Sequence, residues 1–205
     1  MKARHLSVMV SDNGCRIPLS MWNLKSLRTL LVWRSLRFED MTLLSHLTSL
    51  RTLDLRYNYS IKELPKEFEK LIHLRYLDLS WTDVEELPEV VTNLSNLQTL
   101  ILNFCHNLRR LPNGIGKLVS LRHLVADHSG LEELPETISD LSNLQTLILN
   151  SCSNLRRLPD EIGKMVSLRQ LEVEKTKLEE VPETVVMTSV SFKFQVTMIK
   201  NWANN

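Results

Sequence analysis

The apolar residues of this chain recur in a fixed spacing, Leu-x-x-Leu-x-Leu, and a small polar residue follows each copy three positions later. Seven copies begin at residues 27, 50, 74, 97, 121, 144 and 168, so the step alternates between 23 and 24 residues. A weaker copy, with Ala3, Leu6 and Val8 in the leucine places, lies 24 residues before the first. Alternate side chains of a strand point to opposite faces. Each copy therefore predicts a short strand whose leucines point into a core, while the residue between them, such as Asp54, points outward.

The prolines indicate where each strand gives way to a return segment. All seven follow a Leu, Ile or Val at one place in the repeat, and they are Pro18, Pro65, Pro88, Pro112, Pro135, Pro159 and Pro182. Proline has a fixed φ and no N–H to donate, so it suits the point at which the chain leaves a strand ladder. One turn alone cannot bury its leucines, and stacking of successive turns does so.

A fixed period of this length is typical of a leucine-rich-repeat solenoid. The predicted fold class is an α/β repeat solenoid, a horseshoe with a parallel concave β-sheet, 23/24-residue repeats and about eight turns. We expect the solenoid to occupy residues 1–185. Residues 186–205 are expected to form a degenerate C-terminal strand or tail, where Phe192, Phe194 and Val196 alternate but the leucine columns are lost.

The small polar residues of the repeat are expected to satisfy buried peptide groups where the backbone turns. They are Ser35, Asn58, Thr82, Cys105, Ser129, Cys152 and Thr176. Cys105 and Cys152 stand two turns apart, roughly 10 Å, and a disulfide needs Cα atoms within about 7 Å. We therefore predict two buried free thiols, which indicates a reducing compartment and a cytoplasmic location.

The charge balance argues against a nucleic-acid partner, and the lengths of the apolar runs argue against a membrane span. The 205 residues contain 25 Lys and Arg against 24 Asp and Glu, with 43% hydrophobic residues. A dedicated nucleic-acid binder carries a net basic surface, so no nucleic-acid partner is expected. No apolar run approaches the roughly 18 residues that span a bilayer, so no membrane span is expected.

Charged dipeptides precede most of the prolines, and from residue 85 their sign alternates at every turn. They are Lys62-Glu63, Glu85-Glu86, Arg109-Arg110, Glu132-Glu133, Arg156-Arg157 and Glu179-Glu180. Opposite charges on neighbouring strands attract. We interpret the dipeptides as a charge ladder that fixes register. The alternative is a patch that binds phosphate or nucleic acid.

The sequence predicts no enzyme, metal site or cofactor. Cys105, His106 and Cys152 lack the spacing of zinc ligands. The side chains of consecutive Asp127, His128 and Ser129 cannot converge as a catalytic triad. Residues 114–117 lack the spacing of a phosphate-binding loop.

The concave face is the candidate functional surface, as a binding site for protein. Contiguous exposed aromatic and aliphatic side chains often mark an interface, and Trp, Tyr and Arg are common hot-spot residues. The predicted contact residues are Trp33, Arg56, Tyr57, Tyr76, Trp81, Ile101, Phe104, Val125, Asp127, His128 and Ile148. The open alternative is that these side chains merely pack on one another.

A second stripe borders the predicted sheet and consists of Arg28, Arg51, Arg75, Gln98, Arg122, Gln145 and Arg169. Such a stripe either steers an acidic partner or solvates the edge of the sheet.

One motif block carries a family resemblance. Residues 108–124 read L-x-x-L-P-x-x-I-x-x-L-x-x-L-x-x-L, which closely resembles the leucine-rich-repeat domain of plant nucleotide-binding (NB-ARC) disease-resistance proteins. The opening residues 3–8 also resemble the start of that domain. The resemblance implies a protein partner: a pathogen effector, a host target that the effector modifies, or the nucleotide-binding domain of the same receptor, held in autoinhibition. The alternative function is a free-standing intracellular scaffold that binds a small GTPase or another signalling protein.

Overall fold

The computed structural model describes residues 3–9, 19–34, 36, 38–186 and 191–193. The expectations for Pro18, Ser35, Phe194 and Val196 lie outside these residues.

The described residues form nine strands in one parallel sheet, ordered β1 to β9 along the chain. The strands are β1 His5–Met9, β2 Thr29–Trp33, β3 Thr52–Asp54, β4 Tyr76–Asp78, β5 Thr99–Ile101, β6 His123–Val125, β7 Thr146–Ile148, β8 Gln170–Glu172 and β9 Ser191–Lys193. Leu30 aligns with Leu53 and Leu53 with Leu77, so the register follows the leucine spacing. The predicted repeat solenoid with a parallel sheet is confirmed.

The return segments are mostly 3₁₀ helices. They span Leu19–Asn23, Thr42–His46, Lys66–Lys70, Glu89–Asn93, Ile115–Lys117, Glu136–Asp140 and Ile162–Lys164. The described residues also contain two four-residue α-helices, α1 Phe38–Met41 and α2 Glu183–Val186. Pro65 has φ of −70° and directly precedes its helix, and its carbonyl accepts a 3.0 Å hydrogen bond from the Phe68 N–H. Proline therefore ends the extended segment and begins the helical turn, as predicted.

The core lies between the sheet and the return segments. Leu53 and Leu55 are fully buried, and the return-segment residues Leu64 and Phe68 are 4% and 1% exposed. The outward direction predicted for Asp54 is confirmed, whereas its burial was not predicted. Asp54 lies on the face opposite the leucines, but only 3% of it is exposed because other side chains of that face cover it.

The last strand departs from the repeat step. Phe192 aligns with Leu171, 21 residues earlier, whereas the preceding turns advance by 23 or 24. A strand is therefore present in the predicted tail, with a shortened connection.

The small polar residues bind the backbone where each turn closes. The Thr82 Oγ1 donates to the Leu79 carbonyl at 2.7 Å. The thiols of Cys105 and Cys152 are buried and free, and each donates to a carbonyl of the preceding turn at 3.1 Å. Burial raises the pKa of Cys105 to about 11 and also raises the pKa of Cys152. The two predicted buried free thiols are confirmed, and their raised pKa values keep both neutral.

Candidate functional site

Four rings form a continuous row where strands β3 to β6 end. They belong to Tyr57, Trp81, Phe104 and His128, which we call the aromatic row. Each occupies the same place in its turn, and each has a positive φ, between 56° and 63°. The N–H of each residue donates to a carbonyl of the next turn, at 2.8–3.0 Å. These inter-turn bonds hold the backbone in the left-handed conformation, so successive side chains leave the sheet in one direction.

The rings of the aromatic row stack face to face along the solenoid. Ring centroids lie 6.1 Å apart between Tyr57 and Trp81, 4.1 Å between Trp81 and Phe104, and 4.6 Å between Phe104 and His128. The interplanar angles of these pairs do not exceed 24°. His106 meets Trp81 and Phe104 edge-on. The inner rings are thereby fixed on both faces, which leaves a rigid, half-exposed surface.

An apolar patch adjoins the aromatic row on the sheet itself. Ile101, Val125 and Ile148 are aligned on three consecutive strands, and each is half-buried. All three point away from the leucine core, so the concave face carries aliphatic side chains beside the rings.

A polar cluster occupies the concave face nearer the N-terminus. The Arg56 guanidinium pairs with Asp54 at 2.8 Å and with Asp78 at 3.5 Å. It also lies over the Trp33 ring, 5.3 Å from the centroid. The Tyr76 hydroxyl donates to the Asp78 carboxylate at 3.1 Å. The structure thus brings three predicted contact residues, Trp33, Arg56 and Tyr76, together around two nearly buried carboxylates.

This polar cluster alters the ionisation of its members. Burial raises the pKa of Asp78, and the Asp54 charge adds to the shift, whereas hydrogen bonds from Ser80 oppose it. Burial and the Asp78 charge raise the pKa of Tyr76 to about 12. The Arg56 guanidinium pairs with both the Asp54 and the Asp78 carboxylates, so the charges of the cluster already have partners inside the molecule. Trp33, Arg56 and Tyr76 each remain partly exposed.

Asp127 belongs to a ladder that the sequence analysis missed. The Asn103 Oδ1 accepts the Asp127 N–H at 2.9 Å, and the Asp127 Oδ1 accepts the Asn150 N–H at 2.8 Å. The Asn150 Oδ1 in turn accepts the Glu174 N–H at 2.8 Å. Burial raises the pKa of Asp127, and the bond from Asn150 opposes that shift. Asn103, Asp127 and Asn150 occupy the same place in successive repeats, and this shared place was the available signal.

The predicted charge ladder is present from Arg109 to Glu179, at the same end of the strands as the aromatic row. Arg110 pairs with Glu133 of the next turn at 3.4 Å, and Arg157 pairs with the same carboxylate from the other side at 3.3 Å. Arg109 pairs with Glu132 at 3.5 Å. The arginine side chains are largely exposed and the glutamates are partly exposed, so each pair contributes about 1 kcal/mol at most.

Among the described residues, no group of three or more His, Cys, Asp or Glu side chains is arranged to hold a metal ion. No helix in the described part of the chain is long and apolar enough to cross a membrane.

Comparison with known proteins identifies the repeat. The protein-family model for the leucine-rich repeat region matches residues 40–154, which is more than half of the chain. The chain belongs to the leucine-rich-repeat family. One segment of 40 residues in this leucine-rich-repeat chain is 55% identical to Disease resistance protein RFL1 of Arabidopsis thaliana. That segment covers 20% of this chain and 4% of the relative. The resemblance to plant disease-resistance proteins is thus confirmed over a short segment, and the match spans a small part of the relative's length.

Solved structures confirm the fold of this leucine-rich-repeat chain over most of its length. The leucine-rich repeat domain of the type III effector XopL matches with a TM-score of 0.74 and 26% identity, covering 90% of this chain and 65% of that one. The ectodomain of the plant membrane receptor kinase GASSHO1/SCHENGEN3 from Arabidopsis thaliana matches with a TM-score of 0.70 and 25% identity. That alignment covers 86% of this chain and 22% of the ectodomain, whose structure was solved in complex with Casparian strip integrity factor 2.

Proposed function

We propose that this chain is the protein-binding module of a plant intracellular immune receptor. Its partner is a pathogen effector or a host protein that an effector modifies, and the module contributes to autoinhibition of the receptor. The observation that carries the proposal is the aromatic row, four stacked rings beside the apolar patch of Ile101, Val125 and Ile148.

The physical form of this surface favours binding to protein. The rings are held before any partner arrives, so little side-chain entropy is lost when they make contact. Large aromatic side chains next to aliphatic ones supply the dehydrated centre that a hot spot needs. The polar groups around them, on Arg56 and in the Asn103–Asp127–Asn150 ladder, are satisfied internally. They therefore suit the rim of an interface.

Two further observations support an immune receptor in the cytoplasm. The relative RFL1 is named as a disease resistance protein. The buried, neutral thiols of Cys105 and Cys152 are stable in a reducing compartment.

The aromatic row can be tested with substitutions that the repeat itself tolerates. Ser151 occupies the same place two turns after Phe104 and also has a positive φ. Serine therefore tolerates this backbone conformation, and we expect Trp81→Ser/Phe104→Ser to remove the rings without unfolding the turns. Val119→Ser/Val166→Ser is the matched control. It removes two exposed aliphatic residues, 53% and 92% exposed, from the return segments.

The assay uses wild type and both variants as bait for proteins from infected plant leaves. The captured protein is then purified and its affinity measured by calorimetry. We expect Trp81→Ser/Phe104→Ser to weaken binding by at least about 2 kcal/mol, or roughly thirtyfold, while the control binds as wild type does. Equal affinity of all three chains, with circular dichroism unchanged, would refute the aromatic row as the contact surface. Capture of a small GTPase in place of an effector or effector target would favour the free-standing scaffold.

Autoinhibition requires a separate measurement. The bait is tested against the nucleotide-binding domain of a disease-resistance receptor in its ADP-bound and ATP-bound forms. Tighter binding to the ADP-bound form is expected of an autoinhibitory contact, and equal binding to both forms would contradict it.

A further inference from the structure

The residue immediately before each of strands β1 to β8 is arginine or glutamine. These residues are Arg4, Arg28, Arg51, Arg75, Gln98, Arg122, Gln145 and Arg169, and we call them the arginine column. Their backbones are joined directly from turn to turn. The Arg28 N–H donates to the Arg4 carbonyl at 2.8 Å, and the Arg51 N–H donates to the Arg28 carbonyl at 2.7 Å. Adjacent members are therefore about 4.8 Å apart, and the first four are all arginine.

The charges of the arginine column are unbalanced. All six arginines are exposed, and within the described part of the chain none of them forms an ion pair. Like charges on neighbouring strands are destabilising. The other end of the strands is different, because there Arg110 and Arg157 both pair with Glu133. The charge ladder is thus neutralised by its own ion pairs, whereas the arginine column carries positive charge alone.

The fold does not require arginine in this column. Gln98 takes the same place with the same backbone geometry, since its N–H donates to the Arg75 carbonyl at 2.8 Å and its carbonyl accepts the Arg122 N–H at 2.8 Å. A neutral side chain therefore satisfies the turn equally well. Within the described residues, the positive charge of the column has no ion-pair partner.

We propose that the arginine column binds an acidic protein segment that lies across the strands. Guanidinium groups bind carboxylates through paired hydrogen bonds, and the consecutive Arg4, Arg28, Arg51 and Arg75 offer four such groups in a line. The column is one residue wide, which matches an extended peptide. A site for single-stranded nucleic acid places aromatic rings beside the positive charges, so that bases can stack on them. The aromatic row lies at the opposite end of the strands from the arginine column, so an acidic peptide is the favoured ligand. This surface is separate from the aromatic row, and either assignment can fail without the other.

The repeat provides a matched pair of variants for a test. Arg28→Gln/Arg51→Gln/Arg75→Gln introduces the residue that the column already contains at Gln98 and Gln145. The control, Arg109→Gln/Arg110→Gln/Arg156→Gln, removes the same charge from the other end of the strands. The probe is a fluorescent peptide of alternating Glu and Ser, and binding is measured by fluorescence polarisation at low and at physiological ionic strength.

Wild type is expected to bind this peptide, and the arginine-column variant to bind it about tenfold more weakly. The control variant should bind as wild type does, and added salt should weaken binding by wild type more than by the arginine-column variant. Equal loss in both variants would overturn the proposal, because it would reflect net charge alone. Absence of peptide binding by wild type would also overturn it, as would tighter binding to single-stranded DNA or to anionic lipid vesicles than to the peptide.

Discussion

Asn58 joins two turns of the solenoid, and its removal should be among the most damaging polar substitutions. The side chain is 2% exposed. Its Nδ2 donates to the Val32 carbonyl at 2.7 Å and to the Leu55 carbonyl at 2.6 Å, and its Oδ1 accepts the Leu36 N–H at 2.8 Å. Two of these three groups belong to the preceding turn, so Asn58→Ala breaks contacts between turns as well as within one.

The expected loss follows from the groups left without partners. Leu36 and Val32 are 1% and 0% exposed, so water cannot replace the amide. An unsatisfied buried polar group costs about 1–3 kcal/mol. With partial relaxation of the turn, Asn58→Ala should lower the free energy of unfolding by about 3 kcal/mol. Domains are stable by only about 5–15 kcal/mol in total, so this is a large share.

Two related variants separate hydrogen bonding from volume. At the equivalent place, the Thr82 hydroxyl donates to a single carbonyl, that of Leu79, so Asn58→Thr should recover about half of the loss. Asn58→Asp keeps the acceptor for the Leu36 N–H but places carboxylate oxygen against the Val32 and Leu55 carbonyls. It should therefore be more destabilising than Asn58→Ala at neutral pH.

Urea unfolding followed by circular dichroism gives the free energies, and hydrogen exchange at the Leu36 amide localises the effect. Asn107→Ala, at an exposed position, is the control. The reasoning would be refuted if Asn58→Ala were no more destabilising than the control, or if Asn58→Asp were as mild as Asn58→Thr.

Three further predictions concern other parts of the molecule. Because burial raises the pKa of Asp78, the folded state gains stability as the pH falls through that raised value, and Asp78→Asn should lack this gain. The free energy of unfolding, measured across pH, should therefore change in favour of wild type in acid; the same pH dependence in both proteins would contradict the raised pKa. Gly163→Ala should lower the free energy of unfolding by about 1–3 kcal/mol, because the added Cβ would overlap the Thr184 backbone of the next turn. Thermal denaturation measures this loss, and an unchanged melting temperature would show that the two turns can move apart to admit the methyl group. Arg157→Gln should change stability by less than about 1 kcal/mol, since its pair with Glu133 is exposed, and high salt should abolish the difference.

The leucine spacing predicted the strands and their register because it recurs with every turn. Leu53 and Leu77 align across neighbouring strands, and the period alone requires this. The state of Asp54 was not predictable in the same way. An outward direction follows from alternation along one strand, but its burial depends on Arg56 reaching back over it, which alternation does not encode.

Tyr57, Trp81, Phe104 and His128 were predicted as contact residues of the concave face, whereas their backbone conformation was not predicted. These residues are not glycine, and their positive φ follows from hydrogen bonds to the next turn rather than from local preference. The Asn103–Asp127–Asn150 ladder was missed for a related reason. Its polar atoms bind the backbone of the neighbouring turn, and the pattern of aromatic and aliphatic residues does not encode such bonds.

Stability alone does not account for the aromatic row. The same place in other turns holds Arg34, Ser151 and Lys175, also with positive φ, so the fold accepts polar side chains there. Rings at a place where polar side chains are also accepted, stacked and half-exposed beside an aliphatic patch, are the kind of surface that the proposed contact with a protein partner requires.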